Sequence, residues 1–300
     1  MVVHLRDQLQ TLIKGKISAY EPMSRHTTWR IGGPADLFLQ PEDWKDIEKA
    51  LNFANDQEIP VTIIGGGSNL LIDDKGIRGL VIKTTGLNKL EFFNDKVKVG
   101  AGMGLPLLAI KSGQNGLTGL EFAASIPGTV GGAVLMNAGA HGGAMEQIVE
   151  QVTVMDRLGK IHTFKKEELD FKYRSSKLKG LPYIVLEVLI KLSWGEREDI
   201  LKKISSHKMF RNERQPLKYP NAGSVFKNPP GDSAGRLIEQ VGAKGWQVGK
   251  AQVSEQHANF IVNLGGATSK DILNLMDLIQ KAVKKEYGVT LEPEIIFLGG

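Results

Sequence analysis

Nine of the 31 residues from 113 to 143 are glycine, in a chain that carries 35 glycines in 300 residues. A glycine inside a helix or strand costs roughly 0.5–1 kcal/mol relative to alanine. So rich a stretch is expected to be loop, with backbone that needs positive φ or approaches a ligand closely. Its centre reads Glu121-Phe122-Ala123-Ala124-Ser125-Ile126-Pro127-Gly128-Thr129-Val130-Gly131-Gly132 and continues through Met136-Asn137-Ala138-Gly139-Ala140. A second cluster, Ile64-Gly65-Gly66-Gly67-Ser68-Asn69-Leu70-Leu71-Ile72, follows the apolar run Val61–Ile64. Both segments can turn backbone N–H groups toward a phosphate without side-chain obstruction. Ser68, Asn69, Ser125 and Asn137 add short hydrogen-bonding side chains, and neither segment contains Lys or Arg. A diphosphate held here would meet neutral donors. Either segment alone is compatible with a tight turn; two in one chain point to a ligand.

Several other chemistries are excluded. Gly65-Gly66-Gly67-Ser68-Asn69-Leu70 follows a strand-like run, but its sixth position is Leu70 and Lys83-Thr84-Thr85 stands where a ribose-binding acid would be. The dinucleotide fingerprint therefore fails. There is no G-x-x-x-x-G-K-[ST], no G-x-S-x-G and no H-E-x-x-H, and the six histidines are isolated, so no metal site is expected. The chain has no cysteine, which removes disulfides, iron–sulfur clusters and thiol nucleophiles together. Net charge is +5, which suits an anionic ligand such as a nucleotide or carboxylate. Lys and Arg are scattered, without the dense tract of a nucleic-acid binder. No apolar run is long enough for a membrane span. Met1–Ser18 lacks the apolar core of a secretory signal, so a cytoplasmic protein is expected.

The pattern predicts mixed α and β structure. Trp44, Ile47, Leu51 and Ala54 recur at helical spacing over Asp43–Asp56, and Pro60 ends that element. Val61–Ile64, Val97–Val99, Val152–Asp156, Ile161–Phe164 and Ile184–Leu192 read as strands. Arg157-Leu158-Gly159-Lys160 makes a hairpin of the third and fourth. Composition changes after Trp194-Gly195, where a domain boundary is expected. Glu196–Glu213 is charged and helical, and Pro216–Pro230 is loop. Ser233–Val241 is a short helix with Leu237, Ile238 and Val241 inward. Thr268–Tyr287 is a long one with Ile272, Leu275, Met276, Ile279 and Val283 on one face.

The pair of glycine-rich segments resembles the FAD-binding domain of the vanillyl-alcohol-oxidase type of flavoprotein. Ile126-Pro127-Gly128-Thr129-Val130-Gly131-Gly132 followed by Met136-Asn137-Ala138-Gly139-Ala140 resembles the UDP-N-acetylenolpyruvoylglucosamine reductase family. Tyr173-Arg174-Ser175-Ser176, Ala222-Gly223-Ser224-Val225-Phe226-Lys227-Asn228-Pro229 and Leu291-Glu292-Pro293-Glu294-Ile295 match further motifs of that family. Ala234–Glu239 and His257–Asn263 also fit, and the likeness runs in order from about residue 20 to 298. The resemblance implies an α+β protein. A two-lobed FAD-binding domain would occupy 1–195, with lobes of about 20–85 and 86–195. A smaller α+β substrate domain would occupy 196–300, its last strand returning Glu294 to the active site. FAD would be held by Gly65, Gly66, Gly67, Ser68, Asn69 and Leu70, and by Ser125, Pro127, Gly128, Gly131, Gly132, Asn137 and Gly139. NADPH would reduce the flavin and leave. The UDP-linked enolpyruvyl sugar would then enter the same cleft and become UDP-N-acetylmuramate, for peptidoglycan synthesis. A monomer with no nucleic-acid or membrane partner is expected.

The family's substrate is an enol ether bearing a carboxylate. Adding hydride to its terminal vinyl carbon places negative charge on the adjacent carbon, delocalised into the carboxylate. A side chain cannot supply hydride, so a flavin is required. The developing anion needs a fixed positive charge, and the carbanionic carbon needs a proton donor. Arg174 is expected to clamp the enolate, because guanidinium stays charged and pairs with a carboxylate at two points. By resemblance Ser224 is the proton donor and Glu294 the assisting group. Glu292, two residues away, would share a face with Glu294 in a strand and remains a rival. Asn228, Arg214 and Tyr173 are expected to touch substrate. Glu213-Arg214-Gln215-Pro216 departs from the Lys-Gln-Pro or Lys-Leu-Pro form of the family. Pro182-Tyr183 comes eight positions after Arg174, so the inserted loop with a substrate-closing tyrosine is missing and the chain resembles the shorter form. Two other readings stay open: another flavoenzyme on this scaffold, such as an alcohol or sugar-lactone oxidase, and a colourless nucleotide-binding regulator.

Overall fold

The computed structural model describes residues 1–300. Met1–Ala19, Asp36–Gly66 and Gly79–Arg211 form one compact unit; Tyr20–Ala35, Gly67–Arg78 and Asn212–Gly300 form another. These limits do not follow a single cut near 195.

The first unit holds helices α1 (Val2–Leu12), α2 (Trp44–Asp56), α3 (Leu105–Gln114), α4 (Val130–Leu135) and nearly all of α5 (Arg197–Arg214). Its larger sheet is antiparallel, in the order Ile161–Lys165, Val149–Met155, Ile184–Lys191, Lys96–Gly100, Leu90–Phe93. The expected hairpin is its first pair, with Val152 opposite Phe164 and Val154 opposite His162. Asp156 sets the turn by accepting from the amides of Leu158 and Lys160, both at 2.9 Å. Alternation turns Val97, Val99, Val152, Val154, Val188 and Ile190 into a core with Leu105, Leu108, Val130 and Val134. Each such side chain contributes about 1.5–3 kcal/mol when fully buried. Ile200 and Ile204 of α5 join this core, because the charged helix that follows the composition change still carries one apolar stripe.

A four-stranded sheet lies in the order Lys16–Pro22, Pro34–Gln40, Ile77–Lys83, Val61–Ile64. Helix α2 starts at Asp43, whose carboxylate accepts from the amides of Lys45 and Asp46, and buries Ile47, Ala50, Leu51 and Ala54. Trp44, at the first helical position, is instead 40% exposed. Asp46 is buried and accepts from the amides of Lys14, Gly15 and Glu42. Burial alone would raise its pKa, but these three amides hold it below the ordinary carboxylate value.

The second unit is built around α7 (Ser269–Tyr287), together with α6 (Ala234–Gln240) and a three-stranded antiparallel sheet of Gln247–Val248, Ala251–Val253 and Ile261–Asn263. Thr268 and Asp271 form a reciprocal capping box at the start of α7. Its face Ile272, Leu275, Met276, Ile279 and Val283 is buried, as the spacing predicts. Leu237 and Ile238 are buried on α6, and Val241 packs half-buried beside them. Trp29 and Leu71 are fully buried in this same core. The Trp29 indole N–H donates to the Ile261 carbonyl at 2.8 Å, and Asn263 Nδ2 donates to the Trp29 carbonyl at 2.9 Å. Those anchors explain why 20–35 and 67–78, expected in a first lobe, belong to the unit formed by the C-terminal segment. The final strand, Ile296–Leu298, pairs in parallel with Leu70–Ile72.

Candidate active site

In the first unit the two glycine-rich segments lie against each other. A Cβ on Gly66 would stand 3.2 Å from Gly128 Cα, and one on Gly65 would come within 2.5 Å of Thr129 Oγ1. Gly128 itself has φ +122°, which side-chain-bearing residues rarely adopt, and its carbonyl accepts from Leu105 N–H at 2.9 Å. The loop is anchored upstream by buried Glu121, which accepts from the Thr118 hydroxyl at 2.6 Å and the Gly119 amide at 2.7 Å. Burial pushes this carboxyl up, but those bonds more than offset it and hold the pKa low. Downstream, the amides of Val130 and Gly131 donate to Met103 and Ala101, and that of Gly132 to Thr129 Oγ1. The amides of Gly131 and Gly132 thus serve to seat α4. Gly65, Gly66 and Gly128 are the glycines at which the two segments approach each other most closely. With no Lys or Arg in either segment and no side chain on those glycines, the residues present fit a diphosphate met by neutral groups.

The remaining residues expected around FAD divide by unit. Ser125 is buried; its hydroxyl donates to the Phe122 carbonyl at 3.3 Å and lies 3.2 Å from His141 Nε2. Gly139 pairs with Ala144 in a short hairpin. Asn137 is buried and bonded to Glu146 and Lys172. Gly67, Ser68, Asn69 and Leu70 lie in the second unit. There the Gly67 carbonyl accepts from Thr28 N–H, and Asn69 Nδ2 donates to the Glu294 carbonyl at 3.1 Å.

Tyr173 and Arg174 are the central residues of a tight turn in the first unit. Lys172 and Ser175 exchange two backbone hydrogen bonds of 3.0 Å around them. Arg174 takes φ +56°, a conformation that costs a non-glycine residue of order 1–3 kcal/mol. Its guanidinium lies 5.0 Å from the exposed Tyr173 ring, and Nη1 is 3.5 Å from the Gly139 carbonyl.

In the second unit the loop of Ser224 is paired with the segment of Glu294. The Glu294 amide donates to the Val225 carbonyl at 2.8 Å, and Phe226 bridges Pro293. Buried Asn259 fixes the serine loop: its carbonyl accepts from Val225 N–H, Oδ1 accepts from Phe226 N–H, and Nδ2 donates to the Phe226 carbonyl. Ser224 is thus held ahead of two backbone residues whose side chains are buried. Glu292 is held elsewhere, its carboxylate 3.0 Å from Lys227 Nζ at the surface. Ser224 and Asn228 line a cavity of about 400 Å³ with Ser233, Arg236, Lys244, Gln256, His257 and Asn259, among others. Asn228 Oδ1 accepts from Ala234 N–H at the start of α6. Arg236 pairs with Asp232 and drives that carboxyl down to about 2. Arg214 is exposed at the end of α5 and is not part of this lining. The positioning role of Asn259 and the place of His257, Arg236 and Lys244 in the cavity were not foreseen. The segment His257–Asn263 stood out as a motif, but its bonding depends on partners distant in sequence.

Residues 35–165 match the sequence profile of an FAD binding domain. Residues 215–298 match the C-terminal domain of UDP-N-acetylenolpyruvoylglucosamine reductase. Over 298 residues the chain is 48% identical to UDP-N-acetylenolpyruvoylglucosamine reductase 2 of Symbiobacterium thermophilum, covering 98% of this chain and 97% of that protein. The chain belongs to the UDP-N-acetylenolpyruvoylglucosamine reductase family. The family's protein from Desulforamulus reducens is 46% identical, with 98% of each chain covered. The crystal structure of the family's enzyme from Thermus caldophilus superposes with a TM-score of 0.80 at 39% identity, covering 96% of this chain and all of that one. A Physcomitrella patens BBE-like protein shares the fold alone, with a TM-score of 0.50 at 17% identity over 63% of this chain and 44% of that one. The fold is α+β, with an FAD-binding part of the vanillyl-alcohol-oxidase type. The C-terminal match contains Ser224, Asn228 and Glu294 and begins just after Arg214. No helix is long and apolar enough to cross a membrane.

Proposed function

We propose that this chain is an FAD-dependent oxidoreductase that uses NADPH to reduce the enolpyruvyl double bond of UDP-N-acetylglucosamine enolpyruvate, giving UDP-N-acetylmuramate for peptidoglycan synthesis. The observation that carries the reading is near-complete coverage at 48% identity by a reductase of that name. FAD, when bound and reduced by NADPH, supplies the hydride that no side chain can. Gly65, Gly66 and Gly128 leave room for its diphosphate, and Gly67, Ser68, Asn69, Leu70, Ser125, Pro127 and Gly139 complete the surroundings we assign to it.

Arg174 takes the substrate carboxylate and stabilises the charge that develops there, an interaction stronger in the transition state than in the ground state. The Ser224 hydroxyl delivers a proton to the carbon next to that carboxylate. A serine hydroxyl is a weak acid in water, but opposite a carbanion the driving force is large. Glu294 assists by polarising the carboxylate or relaying the proton. Both glutamates are bonded through the main chain to the serine loop, and what favours Glu294 is that the Glu292 carboxylate is already paired with Lys227. Asn228, Arg214 and Tyr173 contact the UDP-sugar in this reading. A cytoplasmic monomer belongs to the same proposal, consistent with a nucleotide-sugar substrate, and size-exclusion with light scattering tests the monomer.

Stopped-flow mixing of the NADPH-reduced enzyme with the enolpyruvyl sugar tests the function. Flavin reoxidation that depends on the sugar and yields UDP-N-acetylmuramate is expected. Rapid reoxidation by oxygen with no response to the sugar would point to an oxidase, and a protein without flavin absorbance would end the proposal.

A further inference from the structure

We infer that Asn137, gripped by Glu146, is a positioning residue for Arg174. Asn137 is 5% exposed and sits at φ +42°, a left-handed conformation that asparagine tolerates better than most residues. Both of its amide hydrogens have acceptors: Glu146 Oε2 at 3.0 Å and the Lys172 carbonyl at 3.2 Å. Its Oδ1 accepts from Glu146 N–H at 3.0 Å. With both donors committed, the side chain of Asn137 is a strut and not a free donor for a cofactor.

What the strut holds is the turn that bears Arg174. The Lys172 carbonyl also accepts from Ser175 N–H, the bond that closes the turn over Tyr173 and Arg174. Asn137 therefore fills the second acceptor site of the carbonyl that closes the turn. On the far side, Ser176 Oγ donates to the Leu135 carbonyl at 3.1 Å, so the turn is tied at both feet to the end of α4 and the residues after it. The ammonium of Lys172 points away, to Asp170 at the surface, and takes no part. Arg174 carries an unfavourable φ at the tip, and such a conformation persists only where its surroundings over-determine it. The two ties supply that determination. They also link the glycine-rich segment to the residue that meets the substrate's carboxylate.

This inference rests on Arg174 acting as the carboxylate clamp, and the experiment separates the two claims. Arg174→Ala, Asn137→Ala, Glu146→Ala and the double variant Asn137→Ala/Arg174→Ala are compared as FAD-loaded enzymes. The rate constants read are flavin reduction by NADPH and reoxidation by saturating enolpyruvyl sugar. Misplacement of a reacting group by about 1 Å can cost about 100-fold, so Asn137→Ala is expected to slow reoxidation by roughly 10- to 100-fold, with NADPH reduction within about twofold of the parent. If Asn137 acts through Arg174, the double variant is no slower than Arg174→Ala alone. Multiplicative losses in the double variant, or unchanged reoxidation in Asn137→Ala, would overturn the positioning role and leave the Arg174 clamp standing. Unchanged reoxidation in Arg174→Ala would instead overturn the clamp. Should Asn137→Ala lose FAD, Glu146→Ala and its double variant with Arg174→Ala, which break the same contact from the other side, are read by the same criteria.

Discussion

The amide of Glu294 donates to the carbonyl of Val225, so the residue after Ser224 is joined directly to the backbone of the glutamate. A main-chain bond of this kind fixes spacing regardless of side-chain rotamer. The same segment runs into Ile296–Leu298, which pairs with Leu70–Ile72, and Asn69 Nδ2 donates to the Glu294 carbonyl. Glu294 thus has its N–H committed to the serine loop and its C=O to Asn69. In the proposed mechanism this backbone tie keeps the loop of the proton donor next to the segment of the assisting carboxylate, as proton transfer within hydrogen-bond reach requires.

Ser224→Ala removes one hydroxyl from a half-buried position and leaves the loop's backbone bonds to Asn259 and Glu294 in place. FAD content and reduction by NADPH are expected to match the parent, while reoxidation by the enolpyruvyl sugar slows by about 100-fold or more. Rapid-mixing absorbance at the flavin band separates the two half-reactions. Unchanged turnover would remove Ser224 as the acid.

Gly128→Val places a β-branched side chain at φ +122° beside Gly66. The backbone must shift, at a cost of about 1–3 kcal/mol, which disturbs the contact between the two glycine-rich segments. The purified variant is expected to have lost most of its yellow colour, with Kd for added FAD raised at least tenfold in a fluorescence titration. A fully yellow variant would discredit the phosphate assignment of this loop.

Legibility in the sequence followed range. Helix α7 and the hairpin of Val149–Met155 with Ile161–Lys165 were readable because their signals are local: a 3.6-residue apolar period, and strand-like runs joined through a glycine-containing turn. Lys16–Pro22 and Pro34–Gln40 were not read as strands, since neither alternates strictly and their pairing partners are set by the sheet. The assignment of 20–35 and 67–78 to the second core depends on where Trp29 and Leu71 are buried, which no local composition reveals. The three candidate groups were recognisable only as motifs. Ser224 in isolation reads as a turn residue, and the preference for Glu294 over Glu292 came from the family motif, to which the structure adds the pairing of Glu292 with Lys227.

Asn259 is the residue on which the serine loop hangs. Asn259→Ala leaves the Phe226 N–H and C=O without their side-chain partners in a buried setting. Each unsatisfied buried group costs about 1–3 kcal/mol, so a loss of roughly 2–6 kcal/mol is expected in urea unfolding followed by circular dichroism. The sugar half-reaction is expected to slow while NADPH reduction holds. A stability change below about 0.5 kcal/mol would mean that water replaces the amide.

His257 supplies a pH dependence that can be isolated. Its imidazole lines the Ser224 cavity and packs on Phe260, with ring centroids 4.6 Å apart. Burial pushes its pKa below the ordinary value of about 6.5, its own backbone contact opposes this, Lys244 adds to the depression, and Glu239 counters it. The folded state therefore binds this proton less readily than the unfolded chain does. The resulting stabilisation is present above the unfolded value and is lost as pH falls through the lower, folded one. Asp46 and Glu121, also depressed, lose their share only in the acid range below about pH 4.5. His141 is likewise depressed, by burial and by neighbouring His207, and adds a share of the same sign. Tm is thus expected to be level from pH 8 to 7 and to fall below about 6.5. His257→Gln should reduce that slope by up to one proton's worth, about 1.4 kcal/mol per pH unit, while His141→Gln removes a separate share. Differential scanning calorimetry across this range checks both, and an unaltered slope in His257→Gln would show that the imidazole is not held neutral by the fold.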